Sequence, residues 1–299
     1  MCIPLPCGIL LLGKSHEDFA FFHEGPISRG PVRGGLFMQM EQMTHEEVKA
    51  YFQAGNDMVI LPCGSTEQHG KHLPLGTDLL IASHLAHAVG EKGGILVAPS
   101  LAYGYAEYHK EGFTGTISFD QDLLYAVYYR IAEQLAEMGT KHIVFLNGHG
   151  GNTHVLSRVS MNLRIQHQVL GLIVDWWKTA GQLQPQWAEK GHAGKAETSV
   201  MMHLYPDLVH QSQICFEPFF TLADGVETKG SASFSYQGVT YQLWMNTCDV
   251  VSTESGSYGE DPHLSSAEEG RQSMEAVVDH LTDFLLHGFQ KMHPAGGFR

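Results

Sequence analysis

At 299 residues, with 43% hydrophobic and 17% charged side chains, the chain has apolar material for one sizeable core and is not disordered in composition. Its formal charge of -14, from 32 acidic against 18 basic residues, repels phosphate backbones and anionic membranes, which excludes nucleic acid and a membrane surface as expected partners. Five scattered cysteines (Cys2, Cys7, Cys63, Cys215 and Cys248) show no paired spacing, and the apolar start Ile3–Leu12 is too short to span a bilayer, so a cytoplasmic location is expected.

Residues 1–39 have neither helical nor strand period and carry the run Gly25-Pro26-Ile27-Ser28-Arg29-Gly30-Pro31. They read as an irregular N-terminal extension, with the domain proper over 40–299. Thr44-His45-Glu46-Glu47 reads as an N-cap with acids in the first turn of a short helix that ends near Ala54-Gly55. Apolar runs at Met58–Leu61, Ile95–Ala98, His142–Leu146 and Leu170–Val174 read as buried strands. Leu79–Val89, Asp122–Met138, Thr153–His167 and Ser265–Leu286 carry apolar residues at helical spacing. Strand and helix thus alternate, which predicts a three-layer α/β/α domain on a mostly parallel sheet, with ligands beyond the carboxyl ends of the strands. The stretch Cys215–Val251, rich in Phe, Tyr, Thr and Gly, reads as irregular or antiparallel strands that cover a site or a subunit contact.

Three motifs carry chemistry. Directly after the first core strand comes Gly64-Ser65-Thr66-Glu67-Gln68-His69-Gly70, followed by His72, Pro74 and Thr77-Asp78. In extended backbone Glu67 and His69 project to one side, and Asp78 near a helix start can fold back towards them, an arrangement that suits a metal. The plainer alternative is a polar loop with Asp78 as a helix cap. After the strand at His142–Leu146 comes Asn147-Gly148-His149-Gly150-Gly151-Asn152, a glycine-rich turn without the spacing or the lysine of nucleotide-binding loops. The third, Gly191-His192-Ala193-Gly194-Lys195-Ala196-Glu197-Thr198-Ser199, sets a histidine and a carboxylate five apart at a helix start, where Glu197 reads equally as a helix-start charge. His72 is a candidate to orient ligands by hydrogen bonding. Other histidines, His109 and His142 among them, sit where polar or interface roles suffice.

At these three motifs the chain resembles the creatininase family, or creatinine amidohydrolases. Tyr103-Gly-Tyr and Phe113-Thr-Gly-Thr-Ile-Ser also look like family segments, and the resemblance runs from about Met40 to about Asp207 with a weaker tail to the last helix. It implies a creatininase-like fold and a site with two divalent ions, in which Asp78 bridges, Glu67 and His149 hold one ion, and His69 and Glu197 hold the other. Mixed carboxylates and imidazoles suit Zn²⁺, Mn²⁺ or Fe²⁺ alike. Trp177, Trp187, Gly150 and His192 are the implied substrate contacts, although the tryptophans read equally as core aromatics. Creatininase itself carries Tyr-Glu where Gly150-Gly151 stand here, which makes creatinine a doubtful substrate.

The implied activity is hydrolysis of an amide-type C–N bond, other than a peptide bond, in a small molecule. Two ions generate the attacking hydroxide, His192 carries the proton to the leaving nitrogen, and Glu197 is ligand, general base or both. The rival readings are a hydrolase of the same fold acting on a C–C or ester bond, and a metal-binding scaffold without turnover. Family members form symmetric rings. With the aromatic stretch Phe216–Trp244, which includes Phe219, Phe220, Phe234, Tyr236, Tyr241 and Trp244, this implies a homo-oligomer, with a hexamer as the first expectation.

Overall fold

The strands β1 (Met58–Cys63), β2 (Leu96–Val97), β3 (His142–Asn147) and β4 (Leu170–Asp175) form a parallel sheet in the order β2-β1-β3-β4. The computed structural model describes residues 38–188 and 191–293. Alternate side chains of β1 and β3 enter two different cores: Met58, Ile60, Val144 and Leu146 on one face, and Val59, Leu61, Ile143 and Phe145 on the other. That is why these strands read as unbroken apolar runs, the pattern of a sheet covered on both sides.

The first face is covered by α2 (Thr77–Gly93), α5 (Trp176–Leu183), α6 (Lys195–Leu204) and α8 (Ala267–His287), through Ile81, Leu85, Trp176, Val200, Met274 and Val277. The second is covered by α1 (His45–Gln53), α3 (Gln121–Glu137) and α4 (Thr153–His167), through Tyr51, Leu124, Tyr128, Leu156 and Val159. The predicted three-layer α/β/α arrangement is present. The capping box of Thr44 and Glu47 starts α1. The short α5 follows β4 without an intervening loop, so its eight residues offered too little periodicity to be read beforehand.

A separate antiparallel sheet, β5 (Val226–Thr228), β6 (Ser233–Tyr236) and β7 (Val239–Gln242), occupies the aromatic stretch as expected. Gln237 and Gly238, both at positive φ, make the tight turn between its last two strands. The short α7 (Thr247–Val250) follows. The extension expected over 1–39 lies outside the described residues except for its last two. Met38 is buried in the second core and Gln39 bridges to Val97, so this pair packs with the domain. Among the described residues no helix is long and apolar enough to cross a membrane.

The chain runs from β1 out to β2 on one side, and then to β3 and β4 on the other. The order therefore reverses between β1 and β3, which opens a crevice beyond their carboxyl ends. Register pairs Cys63 with Asn147 there, so the first two motifs leave adjacent strands at the same level.

Candidate metal centre and its cavity

Close backbone approach brings the three motifs together. A Cβ on Gly148 would lie 2.3 Å from the Asp78 carbonyl, so only glycine lets the start of α2 reach the turn after β3. A Cβ on Gly151 would lie 2.1 Å from the Tyr105 carbonyl and 2.5 Å from His149 Nε2, so this turn has no room for a side chain where creatininase carries its glutamate. Asn147 clamps the turn by donating its amide to the His149 carbonyl and to Asp175 Oδ1, both at 2.8 Å.

Glu67, His69, Asp78, His149, His192 and Glu197 are all buried. The two oxygens of Asp78 face different partners: Oδ1 lies 3.1 Å from His69 Nε2, and Oδ2 lies 3.3 Å from His149 Nδ1. Glu67 Oε2 stands 3.0 Å from His149 Nδ1, and Glu197 Oε2 stands 3.9 Å from His69 Nε2. Two donor sets share Asp78, Glu67-Asp78-His149 and His69-Asp78-Glu197, each with its atoms within 4.8 Å of one another, and a third group, Glu67-His69-His192, meets the same limit.

Backbone carbonyls orient both rings. His149 Nε2 donates to Tyr105 at 2.8 Å and His69 Nδ1 donates to Glu67 at 3.1 Å, which turns the remaining nitrogen of each ring towards carboxylates. A lone pair there repels those oxygens unless a proton or a metal ion lies between. Burial by itself disfavours charge on His69, but Asp78, with Glu197 and Glu67, outweighs it and pushes the ring up to about 10. Burial also opposes charge on His149, and Glu67 and Asp78 likewise raise it well above the usual imidazole range. Glu67 Oε1 and Asp78 Oδ2 have no hydrogen-bond partner. Unpartnered buried carboxylate oxygens beside two aimed imidazoles fit cations held in common.

The third motif arrives on a strained turn. Ala193 takes the left-handed conformation at φ 50, and its N–H donates to Glu197 Oε2 at 2.7 Å. His192 pairs with Tyr258 through backbone bonds of 2.8 and 3.0 Å, so the segment before α8 holds it in place. Its Nε2 donates to the Gln68 carbonyl at 2.6 Å, leaving Nδ1 3.7 Å from Glu67 Oε1. Burial, then His109 and His69, hold its pKa well below the ordinary value, so the ring is neutral near pH 7. His72 bonds Thr198 Oγ1 at 2.9 Å, fastening the first loop to the residue after Glu197.

Glu67, Asp78, His149, His192 and Glu197 line a cavity of about 500 Å³. Of the residues expected as substrate contacts, Gly150, Trp177 and His192 stand in its lining. Trp187 does not: it ends a turn opened by Pro185, and its indole packs on the core beside α6 and α8, where burial of the large ring is favourable. Tyr108, His109, Trp244 and the β6 and β7 residues Ser233 and Gln242 also line the cavity. From its sequence position His109 needs only a polar or interface role, yet its Nε2 lies 3.5 Å from Glu67 Oε1 and its ring stacks on His192 with centroids 4.1 Å apart. The available signal was its position between the two family-like segments at Tyr103 and Phe113.

A family model described as creatininase, creatinine amidohydrolase, matches residues 41–285. The chain is similar to the mycofactocin precursor peptide peptidase of Mycolicibacterium smegmatis, 38% identical over 194 residues, which span 61% of this chain and 73% of that protein. It is also similar to the 3-dehydro-scyllo-inosose hydrolase of Thermotoga maritima, 29% identical over 251 residues and 80% of each chain. Among solved structures it resembles a mutant creatininase of Zn-Zn type, with a TM-score of 0.67 and 26% identity over 84% of this chain and 98% of that one. With the three motifs meeting at one sheet edge and the family model spanning the domain, the chain belongs to the creatininase family of hydrolases.

Proposed function

We propose that the protein is a hydrolase with two divalent metal ions that cleaves an amide-type carbon–nitrogen bond in a small molecule. The observation that carries this reading is the division of Asp78, one oxygen to each of two buried donor sets. Glu67, Asp78 and His149 would hold one ion, and His69, Asp78 and Glu197 the other. Donors of this kind without a thiolate suit Zn²⁺, Mn²⁺ or Fe²⁺, and the similar creatininase is described as Zn-Zn. Such ions supply polarisation of a carbonyl and a water acidic enough to react near neutral pH.

The chain's own residues do the rest. His192, a neutral lining residue whose Nδ1 lies 3.7 Å from Glu67 Oε1, takes a proton from water and delivers it to the leaving nitrogen. Trp177 and Trp244 wall the cavity and orient a small substrate, while Gly150 leaves room beside the cluster. The open cavity argues against a scaffold whose ligands are closed around their ions.

A second reading, hydrolysis at a carbonyl without nitrogen, is favoured by the likeness to a hydrolase named for an inosose. The test is to load the protein with each metal and offer cyclic amides, formamides, short peptides and cyclic ketones. Release of amine, ammonia or formate supports the first reading; a new carboxylate from a ketone alone replaces it with the second. We also propose a homo-oligomer that covers the exposed Phe220, Tyr236, Val239 and Tyr241. A single species near 33.0 kDa in light scattering would remove it.

A further inference from the structure

The two stacked histidines, His109 and His192, meet the same oxygen of Glu67 from two directions, and both are held by one residue, Gln68. We infer that Gln68 makes His192 the proton acceptor and His109 the hydrogen-bond donor of the site. The chemistry rests on the proposed hydrolase, whereas the proton positions do not.

The amide of Gln68 has only one workable orientation. Its Oε1 accepts from the Gly70 N–H at 2.9 Å, and its Nε2 donates to the Gly256 carbonyl at 2.9 Å. The flipped amide would set donor against donor and acceptor against acceptor. The second N–H of Nε2 therefore faces His109 Nδ1, at a long 3.4 Å. That nitrogen must present a lone pair, which also accepts the Thr247 hydroxyl at 2.6 Å. The proton of a neutral His109 then sits on Nε2, aimed at Glu67 Oε1 3.5 Å away, an oxygen with no hydrogen-bond partner.

His192 has the reverse orientation. Its Nε2–H is spent on the Gln68 carbonyl at 2.6 Å, so a lone pair on Nδ1 faces the same Glu67 oxygen at 3.7 Å. Both rings thus carry their proton on Nε2, yet one shows Glu67 Oε1 an N–H and the other a lone pair. In hydrolysis the oxygen of water bonds to the carbonyl carbon and its proton passes to His192 Nδ1. The C–N bond then breaks and the nitrogen takes that proton. His109 keeps its own proton throughout and donates a hydrogen bond to the carbonyl oxygen as negative charge builds on it. Gln68 touches no substrate and is a positioning residue.

The experiment is long-range proton–nitrogen NMR on zinc-loaded protein with ¹⁵N-labelled histidine rings. Signals are assigned by their loss in His109→Phe and His192→Phe. Both rings are expected as the Nε2–H tautomer. In Gln68→Glu an acceptor replaces the donor, so His109 moves to Nδ1–H or to the doubly protonated form, while His192, held by a backbone carbonyl, does not change. Thr247→Val, which keeps the amide, leaves His109 on Nε2–H. A wild-type His109 protonated on Nδ1, or a folded Gln68→Glu protein with an unchanged His109 signal, overturns the inference. Should Gln68→Glu not fold, the wild-type and Thr247→Val spectra still decide. His109→Phe is expected to lose about 10²–10³-fold in turnover, the loss typical of one oxyanion donor. Metal content and product identity test the hydrolase reading separately, so either one can fail alone.

Discussion

At the amino end of β3, His142 Nδ1 lies 3.3 Å from Asp57 and its Nε2 bonds the Met292 carbonyl at 3.1 Å; just beyond the carboxyl end, His149 Nδ1 lies 3.3 Å from Asp78 and its Nε2 bonds the Tyr105 carbonyl at 2.8 Å. The two arrangements differ in what surrounds them. The Asp57 side chain is 32% exposed, and its cavity of about 400 Å³ is lined by Lys141, Arg164 and His293. The Asp78 side chain is 2% exposed and shares its space with Glu67 and Glu197. One half-solvated carboxylate beside one histidine can be satisfied by water or a single proton. Three buried carboxylates converging on two aimed imidazoles cannot, because an uncompensated buried charge costs far more than a hydrogen bond returns. A His-Asp pair is thus by itself no sign of a metal site; an excess of buried carboxylate is.

The largest effect that separates the two ends should come from Asp78→Ala. It is expected to abolish activity and to leave the protein without either ion in elemental analysis, since Asp78 contributes to both donor sets. Asp57→Ala should keep about two ions per chain under the same loading. Retention of two ions by the Asp78 variant would erase the distinction.

Next in size is His192→Ala, expected to lower turnover on the order of 10²–10⁴-fold while keeping its metals. Because His192 also falls within 4.8 Å of donor atoms of Glu67 and His69, loss of an ion in this variant would make it a ligand instead.

A smaller effect concerns protons. In the metal-free protein His69 is pushed up to about 10, so it is charged at pH 7 and must lose its proton to bind an ion. Metal affinity should therefore weaken as pH falls below about 10, roughly tenfold per unit for each proton displaced. Calorimetry in two buffers of different ionisation heat would detect the release. The sign for stability is opposite: a raised histidine pKa stabilises the folded chain fully below the ordinary value of 6.5, and this is lost as pH rises through about 10. The metal-free protein should melt lower at pH 10 than at pH 7, more so than the loaded protein.

The smallest effect is expected at the other end of the strand. His142→Ala should cost about 1–2 kcal/mol of stability through lost hydrogen bonds, with turnover and metal content unchanged in the same assays.

Most of the layered fold was legible, because β1 and β3 are apolar without interruption and α3 and α4 carry helical spacing, both of which are local patterns. The candidate ligand residues were legible for the same reason: Glu67, His69 and His149 stand shortly past strand ends. His109 was not, since it lies in a short 3₁₀ turn whose residues show no period, and it meets the site through residues distant in the chain, Glu67 before it and His192 83 positions later.

By itself, then, the sequence determined which segments alternate, where the strands end and which side chains of metal-binding type stand there. Only the tertiary structure decided that Asp78 gives one oxygen to each donor set, that Trp177 turns into the cavity while Trp187 turns onto the core, and that β6 and β7 contribute Ser233 and Gln242 to the cavity wall. It also decided that the carbonyl and amide of Gln68 hold opposite ends of two stacked rings. The physical reason is range. Periodicity and turn chemistry are fixed within a few residues, whereas the meeting of groups distant in the chain follows from strand order and register. Those are set by packing summed over the whole sheet, which no local window of sequence contains.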